Sequence, residues 1–231
     1  MSFYNEKKGV VSVSQKPATT WSKLYAGLNG LYIAAIINLL FLIGVLLGFG
    51  IFGLAPAYVS CLEVGKRYHQ HRLDKPIRTF FKLYKKNMIS SNQVFLVQIF
   101  FMVLLWVDSQ LILGLSFFNT NVMIPILAVI QLILLTVMLT SGALLSYYQL
   151  KSWETIKKSI QFSFYNLAGI VLVLLWVGIC FYGSLLLPGL IPFLSFGLCL
   201  IVISGIYLKL FENNEVEISK LENKEGMMEF K

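Results

Sequence analysis

Charge is what this sequence has least of. No Asp, Glu, Lys or Arg occurs in residues 24–62, 87–107, 109–150 or 159–208, which together make 152 of the 231 positions. Charged residues are 13% of the chain and apolar residues 57%, against about 25% and about 45–50% in soluble domains. Thirty ionised side chains cannot coat a chain of this size in water, so a soluble enzyme domain is excluded. The chain reads as an integral membrane protein.

Reactive groups are scarce too. Cys61, Cys180 and Cys199 lie in apolar stretches without a C-x-x-C pair, which speaks against a disulfide framework or zinc site and leaves them as small packing residues. His69 and His71, two apart, point away from each other on a helix, and no His-Glu-x-x-His accompanies them. There is no G-x-S-x-G, no Walker A loop and no glycosidase-like carboxylate pair. Ser141 and Ser184 lack a candidate base. The expectation is a protein without catalytic activity, cofactor or metal.

What is present is apolar length. A helix needs about 20 residues to cross roughly 30 Å of hydrocarbon, so the chain accommodates a single all-α polytopic bundle of about six spans. Their expected limits are 24–47, 51–65, 87–107, 122–147, 166–187 and 190–210, with a turn made by Gly48, Gly50 and Gly53 and breaks at Asn119-Thr120-Asn121 and at Pro188-Gly189. The segment 51–65 is barely long enough, so a re-entrant pair made with the first span is the competing reading. The polar arm 1–23 shows no cleavage signature, and the first span is expected to stay as an anchor.

Lys and Arg assign the sides. The N-terminal arm carries 4, segment 63–86 carries 8, segment 148–165 carries 3 and the tail from 209 carries 4, which is all 19. The three opposite connections carry none, so both termini are expected in the cytoplasm. The net charge of +8 then implies attraction to an anionic inner leaflet rather than to nucleic acid.

Two inner segments, 74–86 and 150–165, have amphipathic spacing. In the first, Asp74 is a candidate N-cap and Pro76 falls in the first turn. Ile77, Phe80, Phe81 and Tyr84 then share one face, with Arg78, Lys82, Lys85 and Lys86 on the other, which suits lipid or partner contact. In the second, Trp153, Ile156, Ile160 and Phe164 make a face with Lys157 and Lys158 opposite. Each segment leads to an Asn at the start of a span, Asn87 or Asn166, and L-L-W-V occurs at 104–107 and 174–177. That is a loose repeat only. Residues 211–231, with six Glu and three Lys, read as a flexible cytoplasmic tail.

Glu63 and Asp108 border spans; Glu63 has Lys66 or Arg67 as a partner in reach, and Asp108 reads as a solvated helix end. Asn38, Gln98 and Gln131 are polar intramembrane candidates, which either bond between helices or line a path for a small solute. Gly44 and Gly48, with Ala34 and Ala35, offer a small-residue face to another helix of this chain or of a partner.

The stretch 38–87, with N-L-L-F-L-I-G, F-G-I-F-G-L-A-P-A-Y, K-R-Y and R-T-F-F-K-L-Y-K-K-N, resembles the YesL-like family of bacterial integral membrane proteins. That resemblance implies a small multi-span protein of the plasma membrane in a carbohydrate-uptake or utilisation setting, without catalytic residues to carry over. Together the readings point to an accessory or regulatory component, with a permease or signalling subunit as partner. The rival is a small-solute transporter or channel built around Asn38, Gln98 and Gln131.

Overall fold

The computed structural model describes residues 20–114, 120–148 and 150–229; the expected arm falls mainly outside them. The described residues form an all-helical bundle of α1 (Thr20–Leu47), α2 (Ile51–His69), α3 (Pro76–Gly114), α4 (Thr120–Tyr147), α5 (Ser152–Tyr165), α6 (Leu167–Leu186) and α7 (Phe196–Glu229). A short 3-10 turn, Pro188–Leu190, and a π turn, Ile191–Ser195, lead into α7.

Among the described residues, five segments are long and apolar enough to cross a membrane: Gly27–Leu47, Pro76–Gly114, Val122–Tyr147, Leu167–Leu186 and Phe193–Val216. The protein is a polytopic helical membrane bundle. α2 stands apart from the five. It has 19 residues and carries Glu63, Lys66 and Arg67, so its uncharged part covers only about 18 Å. Gly53 and all of Ala55–Leu62 are buried, against α1, α3, α4 and α7. A helix sheathed by its own neighbours has no need of lipid-compatible length.

The hairpin of α1 and α2 closes without side chains in the way. A Cβ on Gly48 would stand 2.1 Å from the Gly53 Cα, and one on Gly53 would stand 2.5 Å from the Gly44 carbonyl oxygen. The small-residue face of α1 is therefore used inside this chain: Gly44 against Ala57, Phe80 and Tyr84, and Ala34 against Gly197.

Three sequence expectations change here. First, 74–86 and 87–107 are one continuous 39-residue helix, because Phe80, Leu83, Tyr84, Asn87, Ser91, Val94, Phe95 and Gln98 form a single buried stripe through the point where charges stop. Lys75 precedes its first residue, Pro76, so Asp74 is one position too early to cap it. Second, in α5 Trp153, Ile160 and Phe164 are exposed, as a lipid-facing side would be, while Thr155, Ser159 and Ser163 are the buried side; Lys157 is not opposite the aromatic face, since its ammonium sits 5.6 Å from the Trp153 ring centroid. Small polar residues pack helices in lipid, and apolar ones face it. Third, the backbone after 210 stays helical to Glu229. Phe211 is buried against Tyr147, Tyr148, Phe162 and Tyr207, and the Glu and Lys beyond it are good helix formers.

α2 ends in a Schellman turn. Arg72 N–H donates to the Arg67 carbonyl at 2.8 Å and His71 N–H to that of Tyr68 at 3.0 Å, with His71 at φ 54°. That conformation costs a residue with a Cβ about 1 kcal/mol that glycine avoids. His71→Gly is expected to raise the unfolding free energy by about 0.5–1 kcal/mol, read as a higher Tm in detergent; an unchanged or lower Tm would contradict the capping role.

Candidate functional site

Polar side chains inside the bundle join helices in pairs. The single proton of the Ser141 hydroxyl is shared between the Met138 carbonyl at 2.8 Å and Gln98 Oε1 at 3.1 Å, the latter contact joining α3 to α4. Thr140 Oγ1 lies 3.0 Å from the Tyr207 hydroxyl, and Ser163 donates to Thr140 at 3.2 Å, tying α4 to α7 and α5. Tyr58 donates to the Leu139 carbonyl at 3.1 Å. Asn38, fully buried, donates to the Ile191 carbonyl at 3.2 Å and accepts the Gly197 N–H at 3.0 Å.

These bonds separate the three residues expected to line a common path. Asn38 joins α1 to the start of α7, Gln98 joins α3 to α4, and Gln131 is half-buried about 15 Å along α4 from Ser141. The structure does not bring them together. Ser184 donates to the Cys180 carbonyl at 2.7 Å, which is ordinary helix back-bonding. The three cysteines are free thiols, and no group of three or more His, Cys, Asp or Glu with metal-holding geometry occurs among the described residues.

Charge gathers where the end of α2 meets the end of α4 and the middle of α7. Arg67 donates to Glu63 at 2.7 Å, one turn away, so Arg67 is the partner of Glu63. Lys66 donates to the Ser146 carbonyl at 3.0 Å and sits 4.3 Å from the Tyr147 ring centroid. Burial pushes its ammonium below the usual lysine value, against the upward pull of Glu63. Glu63, Lys66, Arg67, Gln70 and Arg72 line a hollow of about 310 Å³. Tyr148 donates to Glu215 at 2.5 Å, and burial, followed by that bond, raises its phenol well above the ordinary tyrosine value. His69 Nε2 lies 2.8 Å from the Ile201 carbonyl, while His71 occupies the turn beyond it. The two imidazoles have separate roles.

The basic row of α3 is the other charged feature. Arg78, Lys82, Lys85 and Lys86 are all exposed. The face opposite is fixed: Phe80 is 0% exposed and the Tyr84 hydroxyl donates to the Gly44 carbonyl at 2.8 Å. Of the apolar residues grouped by spacing, Phe80 and Tyr84 therefore belong to the core, whereas Ile77 and Phe81 are exposed. What sequence spacing misses is the half-buried lysine: Lys66 lies at the end of α2 among several cations, and only the fold singles it out.

A multi-pass helical membrane protein with a rigid basic face is the class these features define. Residues 34–109 match the family described as "Protein of unknown function, DUF624", a stretch containing the one that resembles YesL-like proteins. Over 162 residues, 70% of this chain and 72% of the relative, the chain is 27% identical to "Uncharacterized protein YteU" of Bacillus subtilis (strain 168). No solved structure matches.

Proposed function

We propose that this chain is a non-catalytic accessory or regulatory component of a membrane system for carbohydrate uptake or utilisation, placed in the bacterial plasma membrane with both termini in the cytoplasm. The observation that carries the reading is the row Arg78, Lys82, Lys85 and Lys86, exposed along a helix whose other face is locked into the core. Such a row faces anionic lipid headgroups, at up to about 1 kcal/mol per basic residue, and offers a fixed surface to an acidic patch on a neighbouring permease or signalling subunit. The hydrogen bonds of Asn38, Gln98, Thr140 and Ser141 between helices support a structural use of intramembrane polarity. The carbohydrate setting rests on the YesL-like resemblance.

The test is crosslinking in cells from a photoreactive residue at position 82. A permease or signalling subunit should be recovered, and recovery should fall at least about fivefold when Arg78, Lys85 and Lys86 are changed to Gln, as expected for losing about 1 kcal/mol, with membrane insertion unchanged. These are point substitutions of exposed residues, because Phe80, Leu83 and Tyr84 on the same helix hold the core. Substrate-specific flux through liposomes containing only this protein, abolished by Gln98→Leu, would overturn the reading in favour of a transporter.

A further inference from the structure

We propose that the groove between the beginning of α6 and the middle of α7 binds one phospholipid with a phosphoethanolamine headgroup. The groove has a volume of about 790 Å³, within the usual range of about 300–1,000 Å³ for ligand pockets. Its α7 wall is graded along the helix axis. On α7, Val202 and Ile206 line one part, and Lys209 and Glu212 follow toward the other end. On α6, Gly169 lies against Leu210, and Leu172 is nearly one turn further along. The α7 wall thus runs from a charged mouth to an apolar interior, with the uncharged α6 wall alongside it. A ligand with an ionic head and a long apolar tail meets that gradient, whereas a wholly polar solute would leave the Leu172, Val202 and Ile206 end unmatched.

The charges at the mouth select the head. Lys209 and Glu212 are both exposed, three residues apart on α7, and no ion pair joins them among the described residues. One cation and one carboxylate side by side complement a phosphodiester and a primary ammonium. A headgroup bearing only negative charge would meet Glu212 unfavourably, and a trimethylammonium has no N–H to donate to it. His69 also lines the mouth. Because a carbonyl only accepts, its 2.8 Å contact with Ile201 is made through Nε2–H.

The experiment is native mass spectrometry of the full chain, released from detergent in the presence of equal amounts of phosphatidylethanolamine, phosphatidylglycerol and phosphatidylcholine with identical acyl chains. One phosphatidylethanolamine should be retained about fivefold over each of the others. Lys209→Gln should lower retention of all three, and Glu212→Gln should remove the preference for ethanolamine without lowering phosphatidylglycerol. Leu172→Trp, at a residue 53% exposed, should fill the groove and displace every lipid while leaving the Tm unchanged. Phosphatidylglycerol retained as well as phosphatidylethanolamine, or a Leu172→Trp protein that keeps its lipid, would overturn the proposal.

Discussion

Gly48→Ala is expected to destabilise the bundle by about 3 kcal/mol or more and to lower the yield of folded protein from membranes. The added methyl would stand 2.1 Å from the Gly53 Cα, 2.2 Å from the Gly53 nitrogen and 2.8 Å from the Phe52 carbonyl carbon. All three are backbone atoms. No side chain can swing away, so α1 and α2 would have to separate, and α2 is the helix that four others cover. Gly27→Ala on the same helix is the control, since nothing lies within 4 Å of that position; replacing a mid-helix glycine there should leave Tm unchanged or raise it slightly. Equal Tm values for the two variants would contradict the close hairpin.

Asn38→Leu is expected to cost about 2 kcal/mol, measured as a fall in Tm or in the denaturant midpoint. The substitution keeps the branched shape and the number of heavy atoms but replaces the amide by bulkier methyls and removes bonds to residues 153 and 159 positions further along the chain. Its partners are the Ile191 carbonyl in the π turn and the Gly197 N–H at the start of α7. Backbone groups at such a junction lack regular helical partners, and the buried site offers no water to replace Asn38. Gln131→Leu, at a half-buried position facing no described partner helix bond, should stay within about 0.5 kcal/mol of the native protein. A Gln131 effect as large as that of Asn38 would show that both act in one polar assembly, against the separation seen here.

The helical membrane class was readable from charge alone, because four uncharged blocks leave no other way to hide so much apolar surface. Faces were harder. A basic segment ending at Lys86 looks like a separate surface element, yet the 3.6-residue stripe from Phe80 through Asn87 to Gln98 crosses that boundary unbroken. Composition marked a break where periodicity showed none. In α5 the aromatic residues Trp153 and Phe164 do face outward, as lipid contact requires, but spacing did not show that Thr155, Ser159 and Ser163 make the packed side or that Lys157 shares the Trp153 face. Glu63 found its partner by local spacing, being one turn from Arg67. Gln98 and Ser141, 43 positions apart, meet only through the tertiary arrangement, and the same is true of Lys66 and Ser146.

The short uncharged part of α2 makes sidedness the decisive question, since an odd number of crossings would place the termini on opposite faces. Reporter fusions after residues 115, 188 and 231 measure this directly. The account predicts that a periplasm- or surface-active phosphatase works at 115 and 188 and is silent at 231, where a cytoplasmic fluorophore should report instead. Cytosolic signal at 115 or 188, or external phosphatase activity at 231, would contradict the threading and the cytoplasmic placement of the α3 basic row.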